Sequence, residues 1–251
     1  MIFDCDSHIS PYKMLPESIG AEEWDARMER AGIDKAICWL MQQKIDTVYE
    51  SNRYIYESSK RYARMVPFGW ISLKEGIDNS LDETTRCLKE YGFRGIKING
   101  SQNFHNIDSP ETLRIVERIA ELGGMVAFHI GAESPEYTNP KRAAVVARLY
   151  PEMPVIMVHM GGVIKPDVSE AVIEAAAENP NMMLVGSSIS VDKVANAIRK
   201  LGPERVLFGS DTPYHEPATV ILDRYNTMLK EFDGATAELV LGLNAKRMFS
   251  M

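Results

Sequence analysis

Asp6, His8, Lys97, His129, His159 and Asp211 are of the types that do acid, base or metal chemistry, and each stands at or near the end of a short apolar run. In FDCDSH, Asp6 and His8 are two residues apart, the interval that places both side chains on one face of a β-strand and lets them converge. Imidazole nitrogen and carboxylate oxygen are donors for zinc and other first-row divalent ions, and a site that does chemistry leaves one position open for water. Asp6, His8, His129 and Asp211 can supply such a set. All five histidines (His8, His105, His129, His159 and His215) fall at or just beyond a predicted strand end. Scattered residues would not do this, so a shared metal site is preferred over separate hydrogen-bonded polar groups.

These residues need a scaffold that gathers strand ends. The apolar runs Ile2–Asp6, Lys35–Leu40, Met65–Ile71, Arg94–Ile98, Met125–Ile130, Val155–His159, Met182–Val185 and Val206–Asp211 read as strands. Between them lie segments of helical period, from about Glu22–Ala31, through Asp46–Tyr62 and Pro166–Glu178, to Glu216–Phe232. Asn179-Pro180 and Gly202-Pro203 punctuate the return from helix to strand. Eight such units predict one domain over residues 1–251, a (β/α)8 TIM barrel whose active site lies at the C-terminal ends of the strands. An open doubly wound sheet is the alternative, but it needs a reversal of strand order and usually has fewer strands.

Composition narrows the partners. Of 251 residues 45% are apolar and 25% charged, as in ordinary globular chains. With 28 Lys and Arg against 35 Asp and Glu the net charge is −7, and no basic block is present to meet a phosphate backbone, so nucleic acid is not an expected partner. No apolar run is long enough to span a membrane, and the charged start lacks the form of an export signal, which predicts a cytoplasmic protein. Cys5, Cys38 and Cys87 are odd in number and widely spaced, hence free buried thiols. The sequence holds no GxxxxGK[ST], no GxGxxG after a strand and no GxSxG.

Across essentially its whole length the chain resembles the amidohydrolase superfamily, and within it the short single-metal barrels similar to aminocarboxymuconate-semialdehyde decarboxylase. The motifs FDCDSH, GFRGIKI, VAFHIG, VIMVHMGG, LFGSDTPY and LGLNAKRMF carry the resemblance. It implies that His8, His129 and Asp211 are ligands of one divalent ion and that His159 stands beside it. Asp6 departs from the pattern, which usually has a first histidine there. Asp6 is read as a fourth ligand, with a hydrogen-bonding role as the alternative. Zinc is the first expectation for the metal; manganese or iron gains from the extra anionic oxygen. In superfamily relatives a strand-four lysine bridges two metals as a carbamate. Here Lys97 is read instead as a salt-bridge partner of Asp6 or Asp211, or as a substrate contact.

The leading expectation is a metal-dependent hydrolase of a small lactone, amide or ester. Asp211 would take a proton from a metal-activated water and pass it to the leaving group, and His159 would hydrogen-bond the developing oxyanion. The first alternative is a metal-dependent non-oxidative decarboxylase of an unsaturated or aromatic acid. The second is a binding barrel with a degenerate site. Trp39, with Met41, and Trp70 read as an apolar wall for a planar small-molecule substrate, or as core. His105, His215 and Glu133 read as solvated loop residues, and the helix over Thr236–Phe249 as packing. A homodimer stays open, since such barrels often pair.

Overall fold

The structure is a computed structural model that describes residues 1–13, 15–41, 48–131, 134, 136–162, 167–214 and 216–251. Eight parallel strands pair in chain order: β1 (Phe3–Ile9), β2 (Lys35–Leu40), β3 (Met65–Ile71), β4 (Gly95–Ile98), β5 (Met125–His129), β6 (Val155–Val158), β7 (Met182–Val185) and β8 (Val206–Leu207). The sheet closes where Cys5 N–H donates to Phe208 O (2.8 Å), Asp211 N–H to Asp6 O (2.8 Å) and His8 N–H to Thr212 O (2.7 Å). Closure without a reversal of strand order makes this the expected (β/α)8 TIM barrel and excludes the open sheet.

Helices α1 (Ala21–Arg30), α2 (Val48–Ser59), α3 (Ile77–Thr85), α4 (Gly100–Asn103), α5 (Pro110–Glu121), α6 (Pro140–Leu149), α7 (Ser169–Glu178), α8 (Val191–Leu201) and α9 (Ala218–Leu229) follow the strands. Side chains of Ser109, Asn139 and Ser190 accept backbone N–H groups at the starts of α5, α6 and α8, and proline opens α5 and α6 with its φ already helical. Asp46, Thr47 and Pro166, expected at helix starts, lie outside the described residues. Below the barrel α10 (Gly234–Glu238) and α11 (Asn244–Met248) form the expected packing segment, with Phe249 stacked on Phe3 at 5.3 Å between ring centroids. Cys5, Cys38 and Cys87 are buried free thiols. Among the described residues no helix is long and apolar enough to cross a membrane.

Strand ends differ from the sequence reading where hydrogen bonds across the closure decide them. β1 runs on to Ile9, so Asp6 and His8 lie within it, because Thr212 O and Met41 N–H extend its pairing on both sides. β8 stops at Leu207, and Asp211 follows with φ 58°, its N–H turned back to Asp6. His159 has φ 68° and opens a tight turn just after β6. Trp39 and Trp70 lie inside β2 and β3 rather than beyond them.

The turns after β5 and β6 touch through glycine. A Cβ on Gly131 would stand 2.5 Å from Gly161 Cα, and Gly131 has φ 67°, which L side chains rarely adopt. The contact joins the segment just past His129 to the turn that His159 opens. Gly131→Ala is therefore expected to cost about 2 kcal/mol in chemical denaturation. A loss below a few tenths of a kcal/mol would show that the two turns part freely.

Candidate metal centre

His8 is fixed from both ends of its ring. Its Nδ1 lies 2.6 Å from Leu40 O, an acceptor, so Nδ1 carries hydrogen and Nε2 is left to present a lone pair. That Nε2 is 3.3 Å from Asp6 Oδ1 and 3.3 Å from Asp211 Oδ1. Two carboxylates thus flank one imidazole nitrogen in a buried place, an arrangement that needs a cation to balance it. Burial alone would lower the pKa of His8, but contacts with Asp211 and Asp6 outweigh it and push it up to about 9, so a proton stands in when no metal is bound. The donor set fits one divalent ion.

Serines complete the frame. Ser187 Oγ donates to Asp6 Oδ2 at 2.5 Å and lies 3.0 Å from His159 Nδ1, while Ser188 Oγ donates to Asp211. One donor atom from each of Asp6, His159 and Asp211 lies within 4.8 Å of the other two. The His129 ring lies beside this set, edge-to-face with His159 at 4.5 Å between centroids. Burial would raise the Asp6 carboxyl, yet the His8 contact and the charge of Lys97 hold it well below the usual carboxylate range. Burial lowers His159 against the pull of Asp211 and Asp6. His129 falls well below the ordinary histidine value through burial and the neighbouring His159 and Lys97. Both rings are neutral near pH 7, and neutral imidazole is the metal-binding form.

Trp39 is fully buried and its indole N–H points at Asp6 and His8, 3.1 Å from Asp6 Oδ1 and 3.1 Å from His8 Nε2. It therefore orients the pair as well as walling the barrel. Lys97 Nζ lies 4.0 Å above the Trp39 ring and has no hydrogen-bond partner among the described residues, so the salt bridge to Asp6 or Asp211 is not formed. Burial brings its pKa down to about 8, opposed by Asp6 and Asp211. Trp70 belongs to the core, its backbone clasped by the Asn52 side chain at 2.9 Å on both N–H and C=O. His105 is half-buried after α4; Glu133 and His215 lie outside the described residues.

Asp4 supports the closure from below. Its Oδ1 accepts from Asp6 N–H (3.0 Å) and Ser210 N–H (2.9 Å), and its Oδ2 from Ser210 Oγ (2.5 Å). Burial pushes its pKa up to about 7 despite these bonds. A carboxyl raised in the folded state binds a proton there that the unfolded chain has lost, so its contribution to stability falls as pH rises from about 4 to 7. Asn at this position can accept both N–H groups and donate to Ser210 Oγ. Asp4→Asn is expected to flatten that slope, gaining up to about 4 kcal/mol on wild type between pH 4 and pH 8. Parallel stability curves for the two proteins would contradict it.

Known proteins share this arrangement of strands. Residues 6–251 match the amidohydrolase family. The chain belongs to that family. A curated relative from Dictyostelium discoideum, 2-amino-3-carboxymuconate-6-semialdehyde decarboxylase, is 23% identical over 241 residues, covering 81% of this chain and 66% of its own length. The chain thus spans just under two thirds of that relative. A solved 2,6-dihydroxybenzoate decarboxylase in complex with 2,6-dihydroxybenzoate superposes with a TM-score of 0.77 at 17% identity, over 99% of this chain and 98% of that one. A dihydroxybenzoic acid decarboxylase from a Polaromonas species, solved with manganese and 2-nitroresorcinol, gives 0.76 at 18% identity, over 99% and 96%.

Within this amidohydrolase-family barrel, the residues that motif reading overlooks are Ser187, Ser188 and Asp4. The serines follow the end of β7 in VGSSIS, so the rule that polar residues at strand ends serve the mouth would have found them had it been extended beyond ionisable types.

Proposed function

We propose that the chain is a metal-dependent, non-oxidative decarboxylase of an unsaturated or aromatic carboxylic acid. The observation that carries this is the convergence of Asp6, His8 and Asp211 on one buried point, in a family whose members described above are decarboxylases. This favours the lyase over the hydrolase that leads the sequence reading. His8, His129 and Asp211 would hold the ion, with Asp6 as the fourth donor. Two carboxylates make the set hard and anionic, which favours manganese over zinc, and the manganese in the Polaromonas enzyme supports that choice.

When bound, the ion supplies positive charge to hold an acidic oxygen of the substrate and to draw electrons from its ring or chain. The chain's own groups do the rest. Asp211 would take up a proton from solvent at one Oδ and pass it to the carbon that bears the carboxylate. The carbon–carboxylate bond then breaks, its electron pair restores the unsaturation, and carbon dioxide leaves. His159 turns its Nδ1–H to Ser187 and would present its other nitrogen, Nε2, to the substrate as a hydrogen-bond acceptor.

The test is a panel of aromatic and unsaturated acids that includes 2,6-dihydroxybenzoate, run with manganese-loaded protein in isotopically labelled water. A decarboxylase gives one carbon dioxide per product, with one solvent hydrogen at the former carboxylate carbon. Solvent oxygen in the product would instead establish hydrolysis.

A further inference from the structure

Lys97 is the unexplained group of the barrel interior. Its side chain is fully buried in β4, and its ammonium meets no hydrogen-bond acceptor and no carboxylate among the described residues. It rests on the face of Trp39, 4.0 Å away. A buried cation left unpaired is costly, and such a group points to a ligand that completes it. In the sheet Lys97 pairs in register with Trp70 on one side and with Ala127 on the other.

Trp39 fixes where that ligand must lie. Its N–H end touches Asp6 and His8, and its ring face carries Lys97, so the metal donors and the ammonium are separated by one indole. We infer that Lys97 receives a second anionic oxygen group of the substrate, so that the substrate is a flat acid with two acidic functions. The carboxylate that is lost faces the metal donors, and the retained anionic group faces Lys97. This inference rests on the reading that the barrel takes a carboxylic acid, and it names which acids fit.

The test uses manganese-loaded protein and two non-reacting probes, benzene-1,3-dicarboxylate and benzoate, with binding followed by calorimetry. Wild type is expected to prefer the dicarboxylate by at least about tenfold, as a charge-assisted bond in a dry site allows. Lys97→Met should abolish the preference while leaving metal content and benzoate binding unchanged. Because methionine replaces an unpaired buried charge with apolar volume, the same variant should melt higher than wild type, by about 3 °C or more. A merely structural lysine would give the opposite shift. Lys97→Gln reads the same binding ratio should the methionine variant fold poorly.

A preference that survives both substitutions, a wild type without preference, or a carbamate on Nζ in intact-protein mass spectra would overturn the inference. A barrel that binds the dicarboxylate through Lys97 and yet releases no carbon dioxide from any acid would overturn the decarboxylase reading alone.

Discussion

Asp211→Asn is expected to lower kcat by about a thousandfold while the barrel stays folded. The side chain is placed to carry a proton, with Oδ1 3.3 Å from His8 Nε2 and with Ser188 Oγ donating to the other oxygen. An amide keeps that shape but cannot take up and pass on a proton, and positioned proton transfer is worth roughly 10²–10⁴ in rate. The backbone should not object: Asp211 has φ 58°, and asparagine is among the residues that best tolerate that region. Steady-state kinetics on protein of measured metal content separates the lost proton from lost metal. A kcat within tenfold of wild type, at equal metal content, would remove Asp211 from the proton path.

Ser187→Ala is expected to weaken metal binding by about 10- to 100-fold, the usual cost of losing a group that orients a ligand. Ser187 Oγ ties Asp6 Oδ2 to His159 Nδ1, and no other side chain described here reaches both. Without it the Asp6 carboxylate can turn, and the three donors lose their common focus. Competition with a chelator of known affinity measures the loss, and Ser190→Ala, which removes only the cap of α8, serves as the control. Equal affinities for wild type and the Ser187 variant would mean that Trp39 alone positions Asp6.

The barrel and the gathering of its polar residues are legible in the sequence because both follow from period. Apolar runs separated by helical segments give eight strands, and polar residues at the ends of those runs must share the mouth. The two-residue spacing of Asp6 and His8 carries directly into the 3.3 Å contact between them. What period does not encode is where a single N–H or O–H goes. Ser187 is 181 residues from the carboxylate it serves, and the Trp39 indole points at β1 rather than at solvent. The same limit explains the ends of β1 and β8. Backbone bonds across the closure lengthen one and cut the other short, and no local propensity records them.

The central claim is that Asp6, His8, His129 and Asp211 form one metal site. The most direct measurement is the metal content of chelator-stripped and manganese-reloaded wild type beside His8→Ala, with thermal melting of each. The account expects one equivalent per wild-type chain, a melting point raised on reloading because the ion binds the folded state, and loss of both in the folded variant. A wild type that takes up no manganese, iron or zinc, or a His8 variant that keeps its full equivalent, would contradict it.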